Sequence, residues 1–301
     1  MQLPMISIGS YRVSRLIIGG NPYSGISHHP AAKSKEMEDY YTADRIIADL
    51  REAERCEINT VLACADRHIM RILNEYRNAG GRIQWIAQTA KGSEYANLME
   101  HIRQIACYQP IAIYHHGGTT NRLYDAGKLD VLHDVLALIR DLGIATGLGT
   151  HDPQVLKYCY YDGYDADFYV CALYNHTRHR KLYLDADLDT AISTIQAVNL
   201  PVLAIKVLAA GRSRPLPAFR FALVRYQSID AIAVGMYAMD QPNQICENVQ
   251  MVAHLIKCQK RLQLAPTVLD QMAIPGAETA SSFSRTESSS DHPTAPTLSF
   301  R

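Results

Sequence analysis

The apolar positions of this chain fall into short, nearly unbroken runs, separated by segments in which they recur every three or four residues. Leu16-Ile17-Ile18, Thr60-Val61-Leu62-Ala63-Cys64-Ala65 and Ile111-Ala112-Ile113-Tyr114 are such runs. They lack the alternation of a half-exposed sheet and read as strands covered on both faces. Eight are expected: one opening at Val13, then 59–65, 83–89, one from Ile111 into His115-His116, then 144–149, 167–173, 201–207 and 231–235. Helical spacing appears at 46–53, 69–76, 98–106, 129–142, 188–198 and 243–260. Thr42 or Asp44 suits the cap of the first helix, Gly143 a left-handed stop, and Pro153 a helix start. Residues 23–41 read as a long polar loop holding His28 and His29, and a loop of that length is more often functional than idle.

Strand alternating with helix predicts parallel βαβ units. About eight of them predict a single (β/α)8 TIM barrel over residues 1–272, with an open doubly wound sheet as the alternative. From residue 273 to 301 the chain turns to Ser, Thr and Pro. Such a segment buries too little apolar surface to offset its ordering entropy, so a disordered C-terminal tail is expected.

Composition narrows the partners. The chain has 301 residues, 48% of them hydrophobic, and a formal net charge of zero. No dense Lys/Arg block points to nucleic acid or an anionic membrane. No apolar run approaches the roughly 20 residues that span a bilayer, and the N-terminus lacks a signal-peptide pattern. The seven cysteines form no CxxC pair. They read as reduced thiols in a cytoplasmic protein whose partner is a small-molecule substrate.

In a barrel, polar residues at the carboxyl ends of the strands meet at one mouth. Those ends are Asn21, Asp66 with His68, Gln88, His116, His151, Asn175 with His176, Lys206 and Tyr237. Burying such groups without partners costs about 2–7 kcal/mol each, so they are expected to line a wet cavity or hold a ligand. His116 and His151 suit acid/base work or a divalent metal, with Asp66 as third ligand. His115 and His116 point opposite ways, and the sequence does not say which faces inward. His28, His29 and His179 read as loop residues. Lys206, expected inside the seventh strand, suits a Schiff base or proton transfer, with Asp66 as its partner. Arg212 and Arg214 suit a phosphate or carboxylate. Gly235 before the last helix suits a phosphate. GxxxxGK, HExxH and GxSxG are absent from the sequence, and Gly147-Leu148-Gly149 lacks the third glycine of a dinucleotide fingerprint.

Several pieces, in order, resemble the aldo/keto reductase superfamily. They are Val13-Ser14-Arg15-Leu16-Ile17-Ile18-Gly19-Gly20, Glu57-Ile58-Asn59-Thr60, Tyr114-His115-His116, Ile139-Arg140-Asp141-Leu142-Gly143, and Gly235 followed by Gln244-Ile245-Cys246-Glu247-Asn248. The resemblance implies a barrel fold, an NADP or NAD cofactor gripped at its adenine end by Glu247 and Asn248, and a catalytic histidine at His116. Asn175 and Gly235 join the candidate cofactor contacts. The family's aspartate, tyrosine and lysine do not carry over. Leu62 stands for the first, Asp66-Arg67-His68 lie near the second, and Gln88-Thr89 take the place of the third, with Lys91 slightly late. Asn243 stands where the family's 2′-phosphate contact falls.

Three functions follow as expectations. One is an NAD(P)-linked oxidoreductase on a small carbonyl substrate, with an acid/base set rebuilt from His116, Asp66 and His68. Another is a nicotinamide-independent lyase, isomerase or hydrolase using Lys206, or a metal held by His116, His151 and Asp66. The last is a non-catalytic binding protein on the same scaffold.

Overall fold

The structure, a computed structural model, describes residues 3–175, 178, 182–225 and 230–264, the side chains of 94 and 259–264 excepted. His176, His179 and the expected tail at 273–301 lie outside them. Two strands, β1 (Met5–Ile8) and β2 (Tyr11–Ser14), form an antiparallel hairpin. Eight parallel strands follow: β3 (Leu16–Gly19), β4 (Thr60–Cys64), β5 (Gln84–Gln88), β6 (Ala112–His115), β7 (Ala145–Thr150), β8 (Phe168–Ala172), β9 (Val202–Ile205) and β10 (Ala231–Gly235). Each pairs with the next, and β10 returns to β3 to close the barrel.

The helices described are α1 (Ala31–Tyr40), α2 (Ala43–Arg55), α3 (Arg67–Asn78), α4 (Leu98–Ala106), α5 (Gly117–Asp125), α6 (Val131–Asp141), α7 (Pro153–Tyr161), α8 (Ala186–Gln196), α9 (Pro215–Arg225) and α10 (Gln244–Leu264). Thr42 caps α2 by accepting from the Arg45 N–H, Gly143 follows α6 at φ +73°, and Pro153 opens α7. Alternate strand residues feed two cores. Ile17, Leu62, Ile86, Tyr114 and Phe168 pack inside the barrel. Ile18, Val61, Trp85, Ile113 and Tyr169 pack between sheet and helices. Among the described residues, no helix is long and apolar enough to cross a membrane.

Four expectations are corrected. The run from Val13 is two strands, because Arg15 turns away from the sheet: its Nε donates to the Asp230 carbonyl and its N–H to that of Pro4. The hairpin so formed sends Ile6, Ile8 and Val13 into the end of the barrel where the strands begin. The supposed loop 23–41 contains α1, whose single buried apolar residue, Met37, leaves no stripe to read. Lys206 is not inside its strand: β9 stops at Ile205, and Lys206 stands one residue beyond at φ +60°. Cys56 and Cys246 are not both thiols; with Cα atoms 5.4 Å apart they form a disulfide joining α2 to the first turn of α10.

Candidate functional site

A cavity of about 680 Å³ opens at the carboxyl ends of the strands, within the range that holds small ligands. The loops after β3, β9 and β10 wall it together with α1, and Leu62, Gln88, Tyr114 and Lys206 lie among its lining. Tyr114 points inward on β6, and its hydroxyl donates to Gln88 Oε1 at 2.7 Å. On the rim, Lys33 Nζ reaches Glu36 Oε1 and Asp240 Oδ1, both at 2.8 Å, and sits 4.6 Å from the Tyr237 ring centroid. The Tyr237 hydroxyl donates to Glu36 Oε1, so this rim ties α1 to the segment before α10.

The β9 loop is strained where it meets the cavity. Lys206, Ala209 and Ala210 are non-glycine residues at φ +60°, +48° and +56°. Each such residue costs about 1–3 kcal/mol and needs the surroundings to hold it. His29 Nε2 bonds the Ala210 carbonyl at 2.7 Å, and Arg212 donates to the carbonyls of Ala209 and His28. Arg212 is therefore a brace for the loop, and Arg214 stays on its exposed side.

Lys206 carries the most perturbed cation of the site. Its Nζ is 3.4 Å from His151 Nε2. Burial, reinforced by the positive charge of Lys91, brings its pKa down from 10.5 to about 7, against a small opposing effect of Cys171. The His116 ring lies 6.0 Å from that of His151. Because β6 alternates, Tyr114 faces the barrel, and His115 faces the helices, where its Nδ1 meets the Thr120 hydroxyl at 2.8 Å. His116 caps α5: its Nδ1 accepts the Thr119 N–H at 3.1 Å. A backbone N–H only donates, so Nδ1 carries no proton and Nε2 carries it. Burial first, then the charges of Lys91, His115, Lys206 and Arg122, hold His116 neutral, with its pKa lowered to about 3.

Two expected site residues do not join this group. Asp66 is the N-cap of α3, accepting the Ile69 N–H at 2.8 Å and the Ser24 hydroxyl at 3.0 Å. His68 is exposed in the first turn of that helix. Lys206 thus meets His151 rather than Asp66, and the His116, His151, Asp66 metal set is not assembled. Among the described residues, the metal-type donors gathered within 4.8 Å of one another are Glu52, Cys56 and Cys246, the last two already in the disulfide. Sequence reasoning missed Tyr114, which reads as strand body, and the rim residues Lys33, Glu36 and Asp240, which only the fold brings together.

The cofactor contacts implied by the resemblance fit poorly. Gly235 lines the cavity, where a Cβ would stand 3.0 Å from Pro22 Cδ, and Gln244 lines it too. Glu247, however, is engaged by the Gln241 amide. Asn248 is 1% exposed, away from the cavity wall, with its Nδ2 lacking a partner among the described residues. Asn175 is also off the wall: its N–H donates to Asp187 Oδ2, and its own Oδ1 lacks a partner among the described residues. At the rim the one lysine, Lys33, is already shared between the Glu36 and Asp240 carboxylates. The residues present do not fit a dinucleotide held in that way.

No family model and no curated protein matches the chain in sequence. Its fold is a closed (β/α)8 barrel. Two crystal structures from Pseudomonas aeruginosa, provisionally named aldo-keto reductase, superpose with a TM-score of 0.58 at 17% and 18% identity, covering 85% of this chain and 96% and 95% of theirs. A structure from Pediococcus acidilactici, provisionally named lactate oxidase, superposes at 0.52 with 13% identity, covering 89% of this chain and 76% of its own. At these identities the likeness is one of fold.

Proposed function

We propose that this chain is a barrel enzyme acting on a small carbonyl compound through the amine of Lys206. The observation that carries this reading is the placement of Lys206: at a strand end in the mouth cavity, in a strained backbone conformation, and against His151. A pKa near 7 leaves about half the side chain as free amine at neutral pH, roughly a thousandfold more than an ordinary lysine offers. The free amine adds to the carbonyl carbon; the oxygen takes one proton from the amine nitrogen and one from solvent and leaves as water, and a protonated imine that keeps the other N–H results. That imine draws electrons from the neighbouring carbon, so a C–H or C–C bond there breaks more readily. His151, whose Nε2 lies 3.4 Å from the amine, takes that proton in this reading. This chemistry belongs to lyases and isomerases and asks nothing of Asp66 or His68.

Borohydride reduction in the presence of small ketones and aldehydes, followed by peptide mass spectrometry, tests it. A covalent adduct confined to Lys206, absent in Lys206→Arg, is the expected result. Adducts no more frequent at Lys206 than at exposed lysines overturn the reading. A nicotinamide-linked carbonyl reduction is the second reading, supported by the fold shared with proteins named aldo-keto reductase and by Gly235 at the cavity wall. Calorimetric titration with NADP and NAD tests it, and micromolar binding of either favours it over the lysine route.

A further inference from the structure

The two cysteines that join α2 to α10 share their surroundings with a carboxylate. Glu52 stands four residues before Cys56, whose N–H donates to the Glu52 carbonyl at 2.9 Å, so both side chains lie on one helix face, a turn apart. Cys246 reaches the same spot from the first turn of α10. Glu52 Oε1 lies 3.1 Å from Cys246 Sγ and 3.5 Å from Cys56 Sγ, and the three donor atoms fall within 4.8 Å of one another. Cys56 is buried while Glu52 and Cys246 are half-buried, so water has access to the cluster. Sulfurs in a disulfide carry no proton, and neither contact with Glu52 is then a hydrogen bond. The disulfide alone leaves the close approach of the carboxylate unexplained. The same three atoms suit a thiophilic divalent cation once the bond is open. In a tetrahedral zinc site, with Zn–S about 2.3 Å and Zn–O about 2.1 Å, sulfur and oxygen stand about 3.6 Å apart, and the Glu52 contacts are already near that spacing. Two thiolates and a carboxylate around Zn2+ leave one excess negative charge. Arg55 is in place to neutralise it: its Nη2 donates to Glu52 Oε1 at 2.5 Å and lies 3.8 Å from Cys246 Sγ. The Arg55 side chain is 70% exposed and is free to give way as a metal enters.

We propose that, when the Cys56–Cys246 bond is reduced, Cys56, Cys246 and Glu52 bind a zinc ion, with water in the fourth position, so that α2 and α10 stay joined in either redox state. A dithiol or a phosphine supplies two electrons and is itself oxidised, to a disulfide or a phosphine oxide, while the two sulfurs each take up a proton. Zn2+ then displaces one proton from each thiol, since the thiolate is the form that binds the metal. The joint bears on the cavity through α10. Gln244, in the same first turn as Cys246, lies on the cavity wall and accepts the Tyr237 N–H at 2.8 Å. The zinc link is structural and independent of Lys206.

The full chain, reduced with a phosphine and freed of it without air, is titrated with Co2+ and then with Zn2+. A single Co2+ per chain is expected, with a thiolate charge-transfer band that Zn2+ abolishes. The unreduced chain should show no band. Cys56→Ser and Cys246→Ser should lose it as well, although both keep the exposed thiol of Cys107 and the half-buried one of Cys258. Glu52→Gln should bind Co2+ at least ~10-fold more weakly, since losing even an outer partner of a metal ligand has that effect. Zn2+ should restore most of the Tm that reduction removes from the parent, and should do nothing for reduced Cys56→Ser. A reduced parent that takes up no cobalt overturns the site, as does a band of equal strength in the unreduced chain or in Cys56→Ser. Glu52→Gln binding as tightly as the parent overturns the three-donor set. A Tm of the reduced parent that zinc leaves unchanged overturns the claim that the metal takes over the link between α2 and α10.

Discussion

Replacing Lys206 with methionine is expected to make the protein more stable at neutral pH while removing its carbonyl chemistry. In the folded chain the Lys206 pKa lies at about 7, against an ordinary 10.5. Below pH 7 both folded and unfolded chains hold the proton, and the folded state bears the whole cost of the buried ammonium. Between about 7 and 10.5 the folded chain has released the proton and the unfolded chain has not, so stability climbs with pH and the deficit fades. At 1.36 kcal/mol for each tenfold change, the difference of about 3.5 corresponds to an upper bound of about 5 kcal/mol. The side chain is only partly shielded, and water relaxing around it reduces the figure to about 2–3 kcal/mol. The methionine variant keeps the apolar stem and loses the charge. Urea unfolding followed through Trp85, which is fully buried in the native state, gives the comparison at pH 6, 7.5 and 9. The gain should be largest at pH 6 and fall to roughly half or less by pH 9. A variant less stable than its parent at pH 6, or a gain indifferent to pH, refutes the claim that Lys206 is held with its charge out of water.

Asp66→Ala removes the acceptor of the Ile69 N–H and is expected to cost about 1 kcal/mol of stability while leaving Lys206 labelling intact; loss of labelling in a folded variant would restore Asp66 to the chemistry. The Cys56–Cys246 bond spans 190 residues of sequence, and the chain-entropy model gives such a closure about 5 kcal/mol at most. Dithiothreitol should therefore lower the Tm of the parent by several degrees and leave that of Cys56→Ser unchanged, and an indifferent parent counts against the bond. At Gly147 a Cβ would fall 2.5 Å from Phe168 Cζ and 2.8 Å from Tyr114 Cβ. Gly147→Ala is thus expected to destabilise by about 1–3 kcal/mol in urea unfolding, and an unchanged midpoint would show that the rings do not pack as described.

The barrel was legible in the sequence because each strand of a buried parallel sheet must be apolar on both faces. Runs such as Val61-Leu62-Ala63 and Ile232-Ala233-Val234 have no other economical reading. The elements that escaped lack a buried stripe or a helix-forming start. α1 buries Met37 alone among its ten residues. α5 begins with Gly117-Gly118 and is capped by a histidine, which is not a common capping residue. The strand-end rule picked out Lys206 and Gln88, which line the cavity, and also His116, His151, Asp66 and His68, which do not. An aspartate at the end of a strand is equally the N-cap of the next helix, and the two roles share one position. The disulfide was hidden by separation: Cys56 and Cys246 become neighbours only when the last helix returns beside the first barrel helix.

A barrel mouth brings together more polar groups than any reaction uses, so position at a strand end does not by itself mark a catalytic residue. What sorts them is whether each group's bonding capacity is spent on the backbone. Asp66, Asp152 and His116 Nδ1 each accept a helix N–H, and they stabilise α3, α7 and α5 whether or not a ligand ever binds. Lys206 does the opposite. It sits at a left-handed φ that a lysine disfavours, in a loop with two more such residues, and its charge is held where water solvates it poorly. None of this strengthens the fold, and the braces from His29 and Arg212 act to hold the strained loop in place. Unfavourable energy concentrated on one loop, beside the cavity and away from the well-capped helices, is what distinguishes a working site from a collection of caps. By that measure the proposed lysine chemistry falls to the β9 loop rather than to the β4 end, where the family resemblance alone would place it.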